Sequence, residues 1–356
     1  MKDSILIVNR GNCSNLGDQA INDAMSKFIM SRYDYEIHFS DLTAQHNSPL
    51  EISKNNNKSI ITNNFREMLK KILPLKLIWL LRNFNRVKAA IKRGSGPVVI
   101  GGGQLILSNS TFGIACALWV FLSKYYTRKV IFCSVGAGST FSKIDLILYK
   151  YALQRCDGVC VRDNESKILL KSYFDINAYC SGDIVFTEMS LDKYVDKNKK
   201  VLLGIPDISV YNTYNKPVGR EGYYKIWCCF LRDRGIELAS IDLFFTTQED
   251  YYESLFFRDY VEREYGVKLP IVEASNLSSL KLLMCQYTQT VSGRMHGLIL
   301  ALNSGCSVHT FPISKKLSVF NSIISSDDFN LVNYKDNVVR KTEEFFSPYL
   351  RERNAS

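Results

Sequence analysis

The stretch VVIGGGQLILSNSTFGIACALWVFLSKYYTRKVIFCSVGAGST, residues 98–140, decides the fold. An apolar run, Val98–Ile100, meets three glycines, Gly101–Gly103, and a helical pattern follows near Phe112–Tyr125. The unit then repeats as Val130–Val135, the turn Gly136-Ala137-Gly138-Ser139 and a helix near Asp145–Gln154. Short apolar runs alternating with helices predict a mainly parallel sheet covered on both faces. Outward from this centre the pattern persists. Ile5–Val8 leads through Gly11–Asp18 into a helix ending near Met30, and Gly158–Val161 leads through Asp163 into a helix ending near Tyr173. Ala178–Cys180 reads as the last strand of this half.

The polar segment Asp192–Lys200 reads as a linker, after which the alternation restarts. Strands are expected at Val201–Ile205, Ala239–Phe245, Leu269–Val272, Thr290–Ser292 and Val308–Phe311. Helices are expected near Arg220–Asp233, Gln248–Tyr265, Leu277–Gln286, Met295–Leu302 and Leu317–Ile324. A chain of 356 residues accommodates two domains. The expected division is 1–190, a linker at 191–200, and 201–356 with a C-terminal helix. The fold class is α/β and GT-B-like: two Rossmann-like domains whose mainly parallel sheets face a central cleft. In such sheets ligands sit on the turns beyond the carboxyl ends of the strands, so those turns are where chemistry is sought.

Composition narrows the function classes. With 46% hydrophobic and 22% charged residues the chain buries a core, which excludes wholesale disorder. The ten cysteines form no CxxC pair, which argues against a disulfide framework or a zinc site and for a reduced, cytosolic protein. No signal sequence is read at the start, because Asp3 interrupts and Ile5–Val8 is too short. The uncharged stretch Gly94–Ser123 is broken by its glycines and by Ser108–Thr111, so it reads as strand, turn and core helix rather than a membrane span.

The net charge of +10 suggests an anionic partner, and most of it is local. Residues 66–93 hold nine Lys/Arg against the single acid Glu67, interleaved with Leu69, Ile72, Leu73, Leu77, Ile78, Trp79, Leu80, Leu81 and Phe84. A basic amphipathic helix pair broken at Pro74 would rest on a membrane surface, or else form an ordinary insertion with a solvated basic face. No recognition motif for nucleic acid accompanies it. Ser53–Ser59 is a low-complexity surface loop.

Four turns carry candidate chemistry. Gly11–Asp18 opens the first helix, where glycine allows close approach and exposed amides favour an anion; Asp18 is either a helix cap or a hydrogen-bonding partner for a sugar. Gly17, Gly102, Gly103, Gly136 and Gly138 are candidate acceptor- or anion-binding positions. The densest signal is Thr290–Gly297 (TVSGRMHG), where Arg294 and His296 flank Met295 on a strand-to-helix turn. Arginine offers a planar fork for carboxylate or phosphate, and histidine exchanges a proton near neutrality. No GxGxxG occurs, which disfavours a dinucleotide, and no His or carboxylate cluster has metal-ligand spacing.

Together these landmarks resemble the polysaccharide pyruvyl transferases. The resemblance rests on Asn15-Leu16-Gly17-Asp18, Gly101–Gly103, Val161-Arg162-Asp163 followed by Ser166, and Ser292–Gly297, in the family's order from about residue 9 to 320. It implies transfer of pyruvate from phosphoenolpyruvate to hydroxyls of a sugar in a surface polysaccharide or its lipid-linked precursor. A ketal forms and phosphate leaves, with no cofactor or metal required. Carried over position by position, Gly293, Arg294, Met295 and Arg162 would contact phosphoenolpyruvate. Lys316 would do so as well, although the Tyr-Asp usual ahead of that lysine is missing here. For that chemistry His296 is expected to be the acid, or the group that later protonates the departing phosphate, and Asp18 or Asp163 the base that deprotonates the acceptor hydroxyl. Tyr211, Tyr214, Tyr223, Tyr224 and Trp227 are candidates for stacking on sugars, or core residues. The other readings are a GT-B glycosyltransferase using a nucleotide sugar, and a non-catalytic scaffold for glycan assembly docked on the inner face of the cytoplasmic membrane.

Overall fold

The computed structural model describes residues 3–10, 14–44, 75–190 and 197–352. The loop Ser53–Ser59 and the basic residues before Leu75 lie outside them, as do Cys13 and most of the expected linker. Two compact units are present. The first comprises Met1–Cys13, Ile21–Thr187 and Asp336–Ser356; the second comprises Ser14–Ala20 and Glu188–Lys335.

Unit one is built on a six-stranded sheet. Its strands are β1 (Ser4–Asn9), β2 (Glu36–Asp41), β3 (Val98–Ile106), β4 (Val130–Ala137), β5 (Gly158–Val161) and β6 (Tyr179–Cys180), in the order β2-β1-β3-β4-β5-β6. Every pair is parallel. Its helices are α1 (Leu16–Arg32), α2 (Leu75–Lys92), α3 (Phe112–Tyr125), α4 (Lys143–Arg155) and α5 (Asn164–Phe174). Val8, Ile100, Phe132, Val161, Trp119 and Tyr149 are buried together in its core. A parallel strand buried on both faces reads as a continuous apolar run, which is why these strands were legible. The edge strand β2 was not anticipated: its sequence EIHFSD alternates and carries charge, as an exposed edge does.

Unit two carries a four-stranded parallel sheet ordered β10-β9-β7-β8. The strands are β7 (Asn198–Gly204), β8 (Ile241–Phe244), β9 (Tyr287–Ser292) and β10 (Ser307–Thr310). Its helices are α6 (Ile208–Tyr214), α7 (Arg220–Arg232), α8 (Gln248–Tyr265), α9 (Leu277–Met284), α10 (Met295–Asn303) and α11 (Lys315–Ile324), followed by α12 (Leu331–Phe346). Caps fix several starts: Thr247 accepts from the Asp250 amide and Asn276 from the Ser279 amide, while Gly266, at φ 68°, ends α8. Tyr223, Tyr224 and Trp227 are core residues, with Trp227 stacked 3.8 Å from Phe311; Tyr214 is exposed.

Several expectations are corrected. Leu269–Val272 forms only a single bridge, Ile271 to Leu243, since Pro270 cannot donate to a ladder. The linker's last residues, Asn198–Lys200, already belong to β7. The second half of α12 lies with unit one: Phe346 packs 5.9 Å from Phe28 and 6.1 Å from Tyr33, and the Tyr349 hydroxyl donates to the Asp157 carbonyl. Ser14–Ala20, at the other end of the chain, belongs to unit two.

Gly101–Gly103 is strand rather than turn. Gly102 and Gly103 have φ of 74° and 75°, and the register with β4 shifts between Gly103 and Ile106. A Cβ on Gly102 would lie 1.8 Å from Ile21 Cγ2, so α1 rests directly on the strand backbone. Gly102→Ala adds steric overlap to an unfavourable φ and should cost about 1–3 kcal/mol or more, read as a lower thermal midpoint.

Asp145 is the second structural anchor. Its buried carboxylate accepts from Ser108 and Ser142 and pairs with Lys76, tying α2 to α4. Burial alone would raise its pKa; the Lys76, Ser142 and Ser108 hydrogen bonds outweigh that and hold the carboxyl below its ordinary value. A depressed folded pKa contributes stability that is present above the unfolded value and lost as pH falls through the folded one. Asp145→Asn should therefore lower the neutral-pH melting temperature and flatten the acid limb of a stability profile.

Candidate active site

The Arg294–His296 turn follows β9 and opens α10. Ser292 anchors it, donating to the Gly204 carbonyl and accepting from the Arg294 amide at 3.0 Å. Gly293 is required by packing: a Cβ there would meet Ile313 at 2.6 Å and Pro206 at 2.8 Å. Met295 and His296 form the first turn of α10 and are half-buried.

The residue that organises this turn is Asp250, which sequence reasoning missed. Arg294 Nε donates to Asp250 Oδ2 at 3.0 Å, and Nη2 donates to Oδ1 at 2.5 Å. Asp250 is itself 1% exposed and also accepts from the Thr246 hydroxyl and the Asp207 amide. Burial works against the Arg294 charge, but the adjacent Asp250 carboxylate outweighs it, so the guanidinium is held above its usual pKa. The fork fixes the guanidinium plane and leaves Nη1 outside the pair. One helical turn further along α8, Glu253 accepts from the Ile208 amide and the Tyr224 hydroxyl, and burial pushes its carboxyl pKa up. No motif advertises Asp250. The only signal available was an acidic residue in the first turn of a helix following a strand.

The turn at the start of α1 meets this site. Leu16 donates to the Thr246 carbonyl at 2.9 Å, at the end of β8. A Cβ on Gly17 would lie 3.0 Å from His296 Cβ and 3.2 Å from its Nδ1. Gly17 is therefore glycine so that α1 can lie against His296. Its own amide is taken by Asn15 Oδ1 at 2.9 Å, which revises the anion-binding expectation for that position. Asn15, not Asp18, caps the helix; Asp18 accepts from the Asn15 side chain at 3.2 Å and follows Gly17 directly in the chain. Lys316 is the second residue of α11 and is half-buried.

The remaining candidates cluster in unit one. Arg162 is 7% exposed, with Nε 3.5 Å from Asp163 and Nη1 3.5 Å from the buried Asp183. Its Nε makes no hydrogen bond among the described residues. Gly136 lies flat against it, where a Cβ would stand 2.9 Å from that nitrogen, so this glycine makes room for the guanidinium. Gly138 packs on Leu107 and donates to the Ile106 carbonyl. Asp163 caps α5 by accepting from the Ser166 amide at 2.6 Å, while Ser166 accepts from the Ala137 amide. The spacing of Asp163 and Ser166 thus ties β4 to α5. Among the described residues no group of three or more His, Cys, Asp or Glu is placed to hold a metal.

A family model described as polysaccharide pyruvyl transferase matches residues 15–315. The chain belongs to the polysaccharide pyruvyl transferase family. That span takes in both the Asn15–Asp18 and the Ser292–Gly297 turns and stops one residue short of Lys316. No curated protein matches the chain in sequence. Among solved structures, the UDP-GlcNAc 2-epimerase from Methanocaldococcus jannaschii aligns with a TM-score of 0.52 at 11% identity, over 99% of this chain and 95% of that one. The Neisseria meningitidis enzyme bound to UDP-GlcNAc gives 0.51 at 12% identity, over 97% and 92%. A further UDP-N-acetylglucosamine 2-epimerase gives 0.53 at 11% identity, over 100% and 99%. These likenesses show the fold of this pyruvyl transferase family member, GT-B-like with two parallel-sheet domains.

Two substitutions test the geometry. Asp250→Asn removes the carboxylate that orients Arg294 and should raise the KM for an anionic donor about tenfold or more, with a smaller change in kcat. Gly17→Ala pushes on His296 and should lower kcat about tenfold or more, with the fold retained by circular dichroism.

Proposed function

We propose that the chain transfers pyruvate from phosphoenolpyruvate to two hydroxyls of a sugar in a surface polysaccharide or its lipid-linked precursor, forming a cyclic ketal. The observation that carries this reading is the Asp250-held Arg294 beside His296, within the span of the pyruvyl transferase match. Phosphoenolpyruvate bears a carboxylate and a phosphate, and a planar fork fixed by a buried partner binds such an anion in one orientation. Lys316, in the same unit as Arg294, supplies further positive charge, and Met295 and Gly293 shape the turn that holds the donor.

In the chemistry we assign, His296 delivers a proton to the methylene carbon, which becomes the methyl group. The adjacent carbon then acquires oxocarbenium character, and a first sugar hydroxyl attacks it. A second hydroxyl displaces the phosphate, closing the ketal. One hydroxyl proton replaces the one given to carbon and the other leaves with phosphate, so atoms balance. Asp18, which follows the Gly17 that lies against His296, is assigned as the base that takes the hydroxyl proton. Asp163 is less suited, because its carboxylate is engaged by the Ser166 amide and lies beside Arg162. The reaction needs no redox step and no cofactor.

Calorimetric titration tests the donor. Phosphoenolpyruvate should bind the protein and fail to bind Arg294→Ala; binding of a nucleotide sugar in its place would overturn the assignment. Positioned acid–base groups contribute about 10²–10⁴-fold, so His296→Ala should lose that much turnover while melting at an unchanged temperature.

A further inference from the structure

We propose that the outward face of α2, together with the exposed aromatics of α3, docks on an anionic phospholipid surface. Helix α2 has two stripes. Trp79, Asn83, Val87 and Ile91, spaced four apart, are buried in unit one, and Trp79 Nε1 donates to the Thr43 carbonyl at 2.7 Å. This corrects the sequence expectation for Trp79, which belongs to the core rather than to an interface.

Leu77, Leu81 and Phe84, at i, i+4 and i+7, form a second stripe that unit one leaves in water, with exposures of 39%, 66% and 38%. Lys88 and Lys92 extend that stripe at four-residue spacing. On the neighbouring helix α3, Phe121 and Tyr125 are 45% and 69% exposed and stack on each other.

Charge identifies the occupant. The helix carries Lys76, Arg82, Arg86, Lys88 and Lys92 and no acidic residue. Three of these cations serve the fold: Lys76 pairs with Asp145, Arg86 donates to the Asp41 carbonyl at 2.7 Å, and Lys92 Nζ lies 5.3 Å from the centre of the Tyr126 ring. Arg82 and Lys88 remain, with Arg93 just beyond the helix end. An apolar stripe flanked only by cations matches a bilayer surface whose headgroups carry phosphate. Among the described residues no helix is long and apolar enough to cross a membrane, so the contact lies along the surface. This inference does not depend on the donor chemistry, and its failure would leave the pyruvyl reading where it stands.

Co-sedimentation with vesicles tests it. The protein should pellet with phosphatidylcholine vesicles that contain phosphatidylglycerol, and not with phosphatidylcholine alone. High salt should release it. Arg82→Glu with Lys88→Glu should weaken binding about tenfold or more. Leu77→Ser, Leu81→Ser and Phe84→Ser combined should weaken it comparably. All five positions lie on α2 outside its buried stripe, and none belongs to the unit that carries the Arg294 turn, so thermal midpoint and donor binding should be unchanged. Binding that ignores phosphatidylglycerol, or that survives either set of substitutions, overturns the proposal. So does a protein that ignores both vesicles and instead self-associates through this face, as read by size-exclusion chromatography.

Discussion

Every strand pair in both sheets is parallel, and the rest of the structure follows from that constraint. A parallel pair cannot be closed by a tight hairpin; each return needs a crossover long enough to bring the chain back, and the helices supply it. Crossing helices bury both faces of the sheet, which demands the apolar runs seen at Val98–Ile100 and Val130–Val135. The same geometry puts all carboxyl ends of the strands in one sheet along a single edge. The Arg294 turn beyond β9, the Asp250 helix beyond β8 and the β7–α6 connection therefore meet in unit two without any of them being adjacent in sequence.

Arginines held by buried carboxylates set the character of the two clusters. Arg294 is forked by Asp250, and Arg162 lies near Asp163 and Asp183. An unpaired guanidinium in such surroundings would be costly, so each comes with a carboxylate. The partner removes net charge but fixes orientation, which a bidentate ligand needs more than it needs raw attraction. Glycine does complementary work at Gly136, which admits the Arg162 plane, and at Gly17, which admits His296.

Much of this was legible because the responsible forces are local. Helix α8 was placed at its observed ends, since Thr247 caps it and Gly266 stops it. The strand Gly158–Val161 was placed likewise, and the Arg294–His296 turn was singled out by its glycines and scarce histidine. The misreadings also have physical causes. Strand β2 faces solvent at an edge and lacks the apolar run, and Leu269–Val272 has a strand's composition with Pro270 inside it. The glycines 101–103 look like a turn, but they are needed because α1 presses on β3.

The sequence by itself determined the alternation of strands and helices, the parallel α/β class and the family motifs, because these rest on periodicity and on residue types at short spacing. It also marked α2 as basic and apolar. Only the tertiary structure decided which of those apolar residues enter the core and which stay in water, since that depends on what packs beside the helix. It alone paired Arg294 with Asp250, 44 residues away along the chain, and set Gly17 against His296 from the far end of the sequence. Such contacts are made between side chains whose separation is fixed by packed layers, and no local pattern encodes them.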